Sequence, residues 1–304
     1  MRHGMTLVLA LVLGGCVELV GPIEPPPASG YALIYEGRPD GAPELLRLRL
    51  ESGAQPTRLL PNGMVGRTPT VSPDGQWIAF ASWDAFGISH IYRVRRDGTG
   101  LRELTDSGED DDQPAWSPDG TRIAFRSYRT RRAGEIFVMQ ADGRLQTNLT
   151  PAAGQAAVDH GRPAWSPDGQ RIAYTSDAGG DYGIWTIRAN GTDPRQLTNT
   201  PDFDTEPTWS PDGQWIVFRR SNSAIGSDLM KMPATGGVPL RFAMAGEQRL
   251  PAWSPDGTRI AFVTQNGLYD LPLIASMRPD GSNALVHTPD GRWGGVRPAW
   301  QRVE

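Results

Sequence analysis

One tetrapeptide, Ser-Pro-Asp-Gly, recurs five times along the chain and constrains its fold more than any other feature. The copies begin at Ser72, Ser117, Ser166, Ser210 and Ser254, at intervals of 45, 49, 44 and 44 residues. Proline at the second position presets the backbone of a tight turn, and glycine supplies the positive φ that closes a β-hairpin. Turns at this spacing indicate a repeated unit of the size of one β-propeller blade.

Each unit around the tetrapeptide has the sequence features of four short strands. Pro-Ala-Trp or a close variant stands before the turn, and an apolar run such as Arg122-Ile123-Ala124-Phe125 follows it. A further apolar and β-branched segment leads to a second glycine turn, and a short strand completes the unit. The tryptophan of each unit lies on the first strand, so we expect it to pack between blades. These residues are Trp116, Trp165, Trp209, Trp253 and Trp300.

The two ends of the chain complete the repeat. Residues 31–60 have the pattern of the last three strands of a unit, and Pro298-Ala299-Trp300 near the C-terminus has that of a first strand alone. Joining the two segments gives a sixth unit and leaves no exposed strand edge. We therefore predict an all-β fold: a six-bladed β-propeller of four-stranded antiparallel blades, closed by pairing of the N- and C-terminal segments.

The first thirty residues have a different character. Arg2 precedes a short apolar run that ends in Leu13-Gly14-Gly15-Cys16, which has the anatomy of a secretory signal and resembles the bacterial lipobox. The run is too short to span a bilayer of about 30 Å as a helix. We predict a lipoprotein signal peptide over 1–15, a lipidated Cys16 with a Pro-rich tether over 16–30, and the propeller over 31–304. An ordinary signal peptide with a chance cysteine is the alternative.

The repeat Pro-Ala-Trp-Ser-Pro-Asp-Gly-x-x-Ile-Ala-Phe is similar to that of the TolB-like propellers, over essentially all of residues 31–304. TolB itself carries an α/β domain before its propeller, whereas a proline-rich tether occupies that place here. The resemblance implies the bacterial cell envelope, where the propeller of TolB engages a peptidoglycan-associated lipoprotein. Because Val17 follows the cysteine, where aspartate would indicate inner-membrane retention, we expect the anchor in the outer membrane, facing the periplasm.

Charge and motifs exclude several classes of function. The formal net charge of −4 argues against a nucleic-acid partner, which requires a basic face. The sequence has no Gly-x-Ser-x-Gly elbow, His-Glu-x-x-His helix or phosphate-binding loop. It therefore favours a monomeric, non-enzymatic scaffold that binds an envelope protein or peptide and needs no cofactor.

The loops of a propeller alternate between the two faces of the disc. Here the Ser-Pro-Asp-Gly face is stereotyped, whereas the face formed by the inter-blade links and the loops between second and third strands varies. Variable loops on a rigid scaffold are where binding is usually found. We therefore predict a binding site at the channel mouth on the variable face. Its predicted residues are Asp111, Asp112, His160, Asp204, Glu206 and Gln248. The alternative is that these acidic residues are solvated or cap the starts of strands.

Two loops of the variable face add predicted binding residues. Arg129, Arg131 and Arg132 form a basic run that could dock an acidic segment or an anionic glycan, or be a solvated loop. Trp83 and Phe86 are expected to be exposed aromatic residues of an interface or a sugar platform, with packing as the equal alternative.

A second class of function depends on a divalent cation. Asp111, His160 and Asp204 could supply hard oxygen and nitrogen ligands at the channel mouth. Because some propellers with similar repeats act on acidic oligosaccharides, the resemblance implies as an alternative a metal-assisted, lyase-like enzyme, with the arginine loop holding substrate carboxylates. Neither the spacing nor the ligand set is diagnostic, so the binding scaffold is the favoured hypothesis.

Overall fold

The computed structural model describes residues 30–39, 41–51, 53–61, 63–130, 133–151, 158–222, 226–267, 271–288 and 295–303. Every regular element in these ranges is a β-strand. Among the same residues no helix is long and apolar enough to cross a membrane. Cys16, the signal peptide and the tether over 16–29 lie outside the described residues.

The strands, in chain order, are β1 (Tyr31–Gly37), β2 (Glu44–Arg49), β3 (Thr57–Arg58), β4 (Arg67–Val71), β5 (Trp77–Trp83), β6 (Ser89–Arg95), β7 (Arg102–Glu103), β8 (Asp111–Trp116), β9 (Arg122–Ser127), β10 (Glu135–Gln140), β11 (Thr147–Asn148), β12 (His160–Trp165), β13 (Arg171–Ser176), β14 (Gly183–Arg188), β15 (Arg195–Gln196), β16 (Phe203–Trp209), β17 (Trp215–Asn222), β18 (Gly226–Pro233), β19 (Leu240–Arg241), β20 (Glu247–Trp253), β21 (Ile260–Gln265), β22 (Leu273–Met277), β23 (Leu285–Val286) and β24 (Val296–Arg302).

These strands form six antiparallel sheets of four strands, each of which is one blade. Blades 2 to 6 follow chain order, from β4–β7 to β20–β23. Blade 1 has the order β24-β1-β2-β3, so the last strand of the chain is its innermost strand. Leu33 pairs with Trp300, and the Val303 amide donates to the Gly30 carbonyl at 2.6 Å. The predicted six-bladed propeller and its composite closing blade are confirmed.

The Ser-Pro-Asp-Gly turn has the same serine–aspartate and glycine hydrogen bonds in each of its five copies, as the turn after β20 illustrates. The Gly257 amide donates to the Ser254 carbonyl at 2.9 Å, and Gly257 has a φ of 71°. The Ser254 hydroxyl donates to an Asp256 carboxylate oxygen at 2.6 Å and accepts from the Arg259 amide at 2.9 Å. The turn therefore requires all of serine, aspartate and glycine, which explains why it recurs unchanged.

The repeat tryptophans pack between neighbouring blades, as predicted. Trp116 packs with Ala79 and Ala81 of the preceding blade. The Trp165 indole N–H donates to the Ala115 carbonyl of the preceding innermost strand at 3.2 Å. Equivalent bonds join Trp209 to Ala164 and Trp300 to Ala252, at 3.1 and 2.9 Å. The disc is thus a ring of apolar interfaces rather than a single central core.

Candidate binding site at the channel mouth

A β-bulge interrupts the innermost strand of every blade. In blade 2, Arg67 pairs with Ala81 and Thr70 with Ala79, which leaves Thr68 and Pro69 together opposite Phe80. Proline cannot donate to the ladder, so the bulge forms at the repeat proline. The residue before that proline has a positive φ of 50° to 62° in all six blades. These residues, here called the channel ring, are Thr68, Gln113, Arg162, Glu206, Leu250 and Arg297.

The channel ring lines a central cavity of about 390 Å³. Hydrogen bonds join some of its members across blade boundaries. The Gln113 side-chain oxygen accepts from the Arg162 amide at 2.6 Å, and a Glu206 carboxylate oxygen accepts from the Leu250 amide at 2.6 Å. The ring is therefore held by the fold, while the identities of its side chains differ from blade to blade.

A buried carboxylate lies among arginines beside the ring. Glu36, at the end of β1, is only 2% exposed. Its oxygens lie 3.8 Å from Arg67 Nε, 3.9 Å from Arg297 Nε and 3.9 Å from Arg38 Nη2. These distances exceed those of hydrogen bonds. Glu36 Oε2 and Arg67 Nε are buried and have no hydrogen-bond partner among the described residues. Such unsatisfied groups are rare in folded proteins and indicate that a further partner could bind here.

A second loose cluster lies on the opposite side of the ring. A Glu206 oxygen is 3.8 Å from Arg162 Nη2 and 4.0 Å from Arg219 Nη1. Burial, with the nearby positive charge of Arg162, lowers the pKa of Arg297 to about 10. The carboxylates of Glu36 and Asp112 oppose this shift in the pKa of Arg297, and Arg67 adds to it. The channel mouth, here the end of the channel near the inter-blade links, therefore has excess positive charge in a chain whose formal net charge is −4.

The predicted residues Asp111 and Asp204 are fully buried and paired within the protein. Asp111 Oδ2 accepts from Arg129 Nη2 at 2.7 Å and from the Ser107 hydroxyl at 2.9 Å. The two Asp204 oxygens accept from Arg220 Nε and Nη2 at 2.7 and 2.8 Å. Both carboxylates thus have strong partners, although Asp111 Oδ1 is buried without a hydrogen-bond partner among the described residues. The channel is lined by the ring residues two positions further along. A direct role of Asp111 and Asp204 in binding stays a prediction.

The residues equivalent to Asp111 in other blades show why this position is internal. A Cβ added at Gly66 would lie 2.4 Å from Leu45 Cγ, inside the neighbouring blade. Gln248 is fully buried and donates to the carbonyls of Ala245 and Gly246 at 2.8 and 2.5 Å. Side chains at this position therefore point between blades rather than into the channel.

His160 has the same buried position in blade 4. Its amide donates to the Gly134 carbonyl at 2.8 Å, and its ring contacts the Tyr174 ring edge-on, with centroids 5.5 Å apart. Burial lowers the pKa of His160, although the nearby carboxylates of Asp177 and Asp159 oppose the shift. The ring is therefore predominantly neutral at neutral pH and packs as part of the blade interface.

The candidate metal ligands lie on three different blades, Asp111 on β8, His160 on β12 and Asp204 on β16. Among the described residues, no group of three or more His, Cys, Asp or Glu side chains is placed to hold a metal ion. The structure therefore does not bring these three residues together as one ligand set.

Asp112 and Arg129 border a second cleft, of about 560 Å³, beside blade 3. Asp112 binds the Arg126 guanidinium through both oxygens, at 2.9 and 2.8 Å. Arg129 is directed inward to Asp111 and also donates to Gln146 Oε1. The predicted basic loop therefore uses its first arginine internally. Arg131 and Arg132 lie outside the described residues.

Trp83 and Phe86 are exposed on the variable face, by 42% and 89% respectively. Asp84 shapes the loop between them, because one of its oxygens accepts from the amides of Phe86 and Ile88 at 2.8 and 2.9 Å. The Arg67 guanidinium carbon lies 4.9 Å from the centre of the Trp83 ring. Trp83 thus adjoins the arginine cluster around Glu36, and Phe86 lies three residues further along the same loop.

Of the ring residues, only Glu206 was predicted from the sequence; Gln113, Arg162, Leu250 and Arg297 were not. Glu36 and Arg67 were not predicted either. One signal could have found the ring: each of its members immediately precedes a repeat proline.

Comparison with known proteins agrees with this architecture. The family model of the TolB beta propeller domain matches residues 157–292. An uncharacterised protein of Agrobacterium fabrum is 35% identical over 82 residues, which is 27% of this chain and 27% of that protein. The crystal structure of TolB from Acinetobacter baumannii has a TM-score of 0.72 at 21% identity, covering 91% of this chain and 68% of that one.

The propeller also resembles part of a second solved structure. Hydrazine synthase of Kuenenia stuttgartiensis has a TM-score of 0.72 at 16% identity, covering 95% of this chain and 50% of that one. At such identities the likeness concerns the fold alone. The repeat, the family match and the blade architecture together define the chain as a TolB-like six-bladed β-propeller.

Proposed function

We propose that this TolB-like propeller is a non-enzymatic scaffold of the bacterial cell envelope that binds a protein or peptide at the channel mouth of its variable face. The observation that supports this most is the position of Trp83, exposed beside Arg67 of the Glu36 cluster, with Phe86 exposed in the loop that follows it. Exposed aromatic residues next to arginines are typical of the residues that dominate binding energy at interfaces.

The proposed site has a contact layer and a supporting layer. The contact layer consists of Trp83, Phe86, Arg67 and the channel ring. It also includes Asp112, which borders the cleft beside blade 3. Asp111, His160, Asp204 and Gln248 lie beneath it and position the inner strands through buried hydrogen bonds and packing. Such a rigid support lowers the entropic cost of ordering the site on binding.

The path of the chain supports an orientation for this site. The chain reaches the disc at Gly30, and β1 then runs to Gly37 at the channel mouth. The N-terminal segment therefore joins the face opposite the mouth. We propose that lipidated Cys16 and the tether over 16–30 anchor that face at the outer membrane, so that the mouth is directed into the periplasm.

The binding role can be tested by affinity capture from envelope extract with the full chain in detergent as bait. The test variant is Trp83→Ser/Phe86→Ser. The matched control is Leu145→Ser/Val238→Ser, since these two residues are 74% and 86% exposed in turns of the opposite face. Quantitative mass spectrometry should show a protein enriched by the unchanged bait and the control but lost with the test variant. Equal enrichment by all three baits would contradict the site.

The anchor needs a separate test. Cys16→Ser should move the protein from the membrane fraction to the soluble fraction and abolish incorporation of labelled fatty acid. Retention of both properties by the variant would disprove lipidation at Cys16.

A further inference from the structure

We infer that the channel mouth binds an acidic peptide segment. Two carboxylates of that segment would bind the arginines around Glu36 and Glu206. The inference rests on the proposed function and adds the chemistry of the partner. It follows from the charges, the contacts and the apolar surroundings of the mouth.

The charges at the mouth are unbalanced. Among the described residues, Arg67, Arg297, Arg162 and Arg219 lie within 4.0 Å of only two carboxylates, Glu36 and Glu206. Arg38 also approaches Glu36, at 3.9 Å, but its side chain is 57% exposed and is not counted in this group. Two guanidinium charges are therefore left without a matching carboxylate in this group. Two further negative charges would restore the balance.

The contacts at the mouth are also open, in contrast to those elsewhere in the same chain. Arg220 and Arg126 make two-pronged hydrogen bonds of 2.7 to 2.9 Å to Asp204 and Asp112. The four arginines of the mouth stand 3.8 to 4.0 Å from Glu36 and Glu206. Their guanidinium groups are therefore not saturated by these carboxylates and can bind further oxygens.

The chemistry of the guanidinium group selects the ligand. A carboxylate accepts two parallel N–H groups from arginine, which gives direction as well as charge. Burial and neighbouring arginines lower the pKa of Arg297, so an added anion would stabilise its charged form. A free phosphate could also meet the arginines, but it has no apolar part to contact Phe86 or Trp83. A peptide with acidic and apolar residues uses both features.

The test uses the full chain in detergent and isothermal titration calorimetry with two probes. The acidic probe is the capped peptide acetyl-Glu-Leu-Glu-amide, and the neutral probe is acetyl-Gln-Leu-Gln-amide. The caps remove the terminal charges, so only side-chain carboxylates differ. We expect the acidic probe to bind at least tenfold more tightly, with an affinity that decreases as salt increases.

Variants with opposite expected effects sharpen the test. Arg297→Gln should weaken binding of the acidic probe at least tenfold, and Arg297→Lys should weaken it less because it keeps the charge. Glu36→Gln should strengthen binding, because it removes a carboxylate that competes for Arg67 and Arg297. Arg49→Gln is the matched control, since Arg49 is exposed on the opposite face, and should leave binding unchanged. Thermal unfolding of each variant verifies its fold.

Equal binding of the two probes, or weaker binding by Glu36→Gln in a folded protein, would overturn the inference. Displacement of the acidic probe by an equal concentration of inorganic phosphate would overturn the assignment to a peptide. The proposed scaffold function is decided separately by the capture experiment with Trp83→Ser/Phe86→Ser. A partner lost in that experiment, with no preference for the acidic probe, would keep the function and reject this ligand class.

Discussion

Replacing Asp204 by alanine tests whether the acidic residues predicted from the sequence hold the fold or bind a ligand. Asp204 is fully buried, and both of its oxygens accept from Arg220. The Arg220 side chain is only 14% exposed. The substitution therefore leaves a largely buried guanidinium without its main partner.

The structure sets the size of the effect. Breaking a buried ion pair by removing one partner costs about 3–5 kcal/mol. Asp202 stays 3.7 Å from Arg220 Nε and offsets part of the loss. We therefore expect Asp204→Ala to lower the free energy of unfolding by about 3 kcal/mol, roughly a hundredfold in the equilibrium constant.

Equilibrium unfolding in guanidinium chloride measures this change, with an unchanged slope as evidence that the folded state is intact. Asp142→Ala is the control, since Asp142 holds Arg144 at 2.7 Å but that arginine is 76% exposed. Surface pairs contribute little, so the control should hardly move the unfolding midpoint. Asp204→Leu/Arg220→Met should recover much of the lost stability, because it removes the uncompensated charge as well.

A loss below about 1 kcal/mol for Asp204→Ala would refute this reasoning. It would mean that Arg220 is well solvated without its partner, so that Asp204 is available for another role. The sequence-based hypothesis of a direct binding residue would then be favoured. A loss of the expected size would make Asp204 unsuitable as a test of binding, because the variant perturbs the whole blade.

Three further predictions concern the repeat and the response to pH. Ser254→Ala should lower the free energy of unfolding by about 1–2 kcal/mol, because the buried Arg259 amide loses its acceptor. Ser282→Ala, in an exposed turn, is the control and should have little effect. Equal unfolding midpoints for the two variants would contradict the structural role of Ser254. Gly143→Ala should lower the thermal midpoint strongly, because its Cβ would lie 2.6 Å from a backbone oxygen of the preceding blade. Gly41→Ala is the control, because Gly41 has a φ of 91° against 92° for Gly143 but open space around its Cβ. A similar decrease of the thermal midpoint in both variants would point to backbone strain alone. Burial, and then a nearby guanidinium, lowers the pKa of His287 to about 4 from 6.5. The unfolded chain therefore binds a proton that the folded chain does not, and stability should decrease as pH falls from about 6.5 to about 4. In His287→Gln, the free energy of unfolding should depend less on pH across this range. An unchanged dependence on pH would exclude His287 as its source.

The repeat allowed the fold to be predicted because each repeated residue has a structural role within its own turn or strand. Serine, aspartate and glycine are needed within one turn, as the bonds of Ser254 and Asp256 show. The closing blade was also predictable, since an unpaired first strand at Pro298-Ala299-Trp300 had only one complement in the chain. Such features depend on short-range geometry and on counting strands.

The site was harder to predict because it depends on the direction of side chains. Asp111 and Gln113 are two residues apart on β8, and in a regular strand both would point to the same side. The bulge at the repeat proline turns the second residue into the channel while the first stays between blades. Glu36 was missed for another reason: it meets Arg67 and Arg297 only after ring closure, and no local pattern marks it.

The bulge fixes the backbone of the channel ring but does not fix which side chains the ring carries. A positive φ in a residue other than glycine is often interpreted as strain kept for function. Here it recurs in all six blades, so it is a consequence of the proline in the repeat. The backbone thus supplies six equivalent positions around the channel without specifying their chemistry. Arg162, Glu206 and Arg297 occupy three of these positions and place both signs of charge at the mouth. Recognition in this propeller should therefore depend on the residues before the repeat prolines, whose side chains differ from blade to blade.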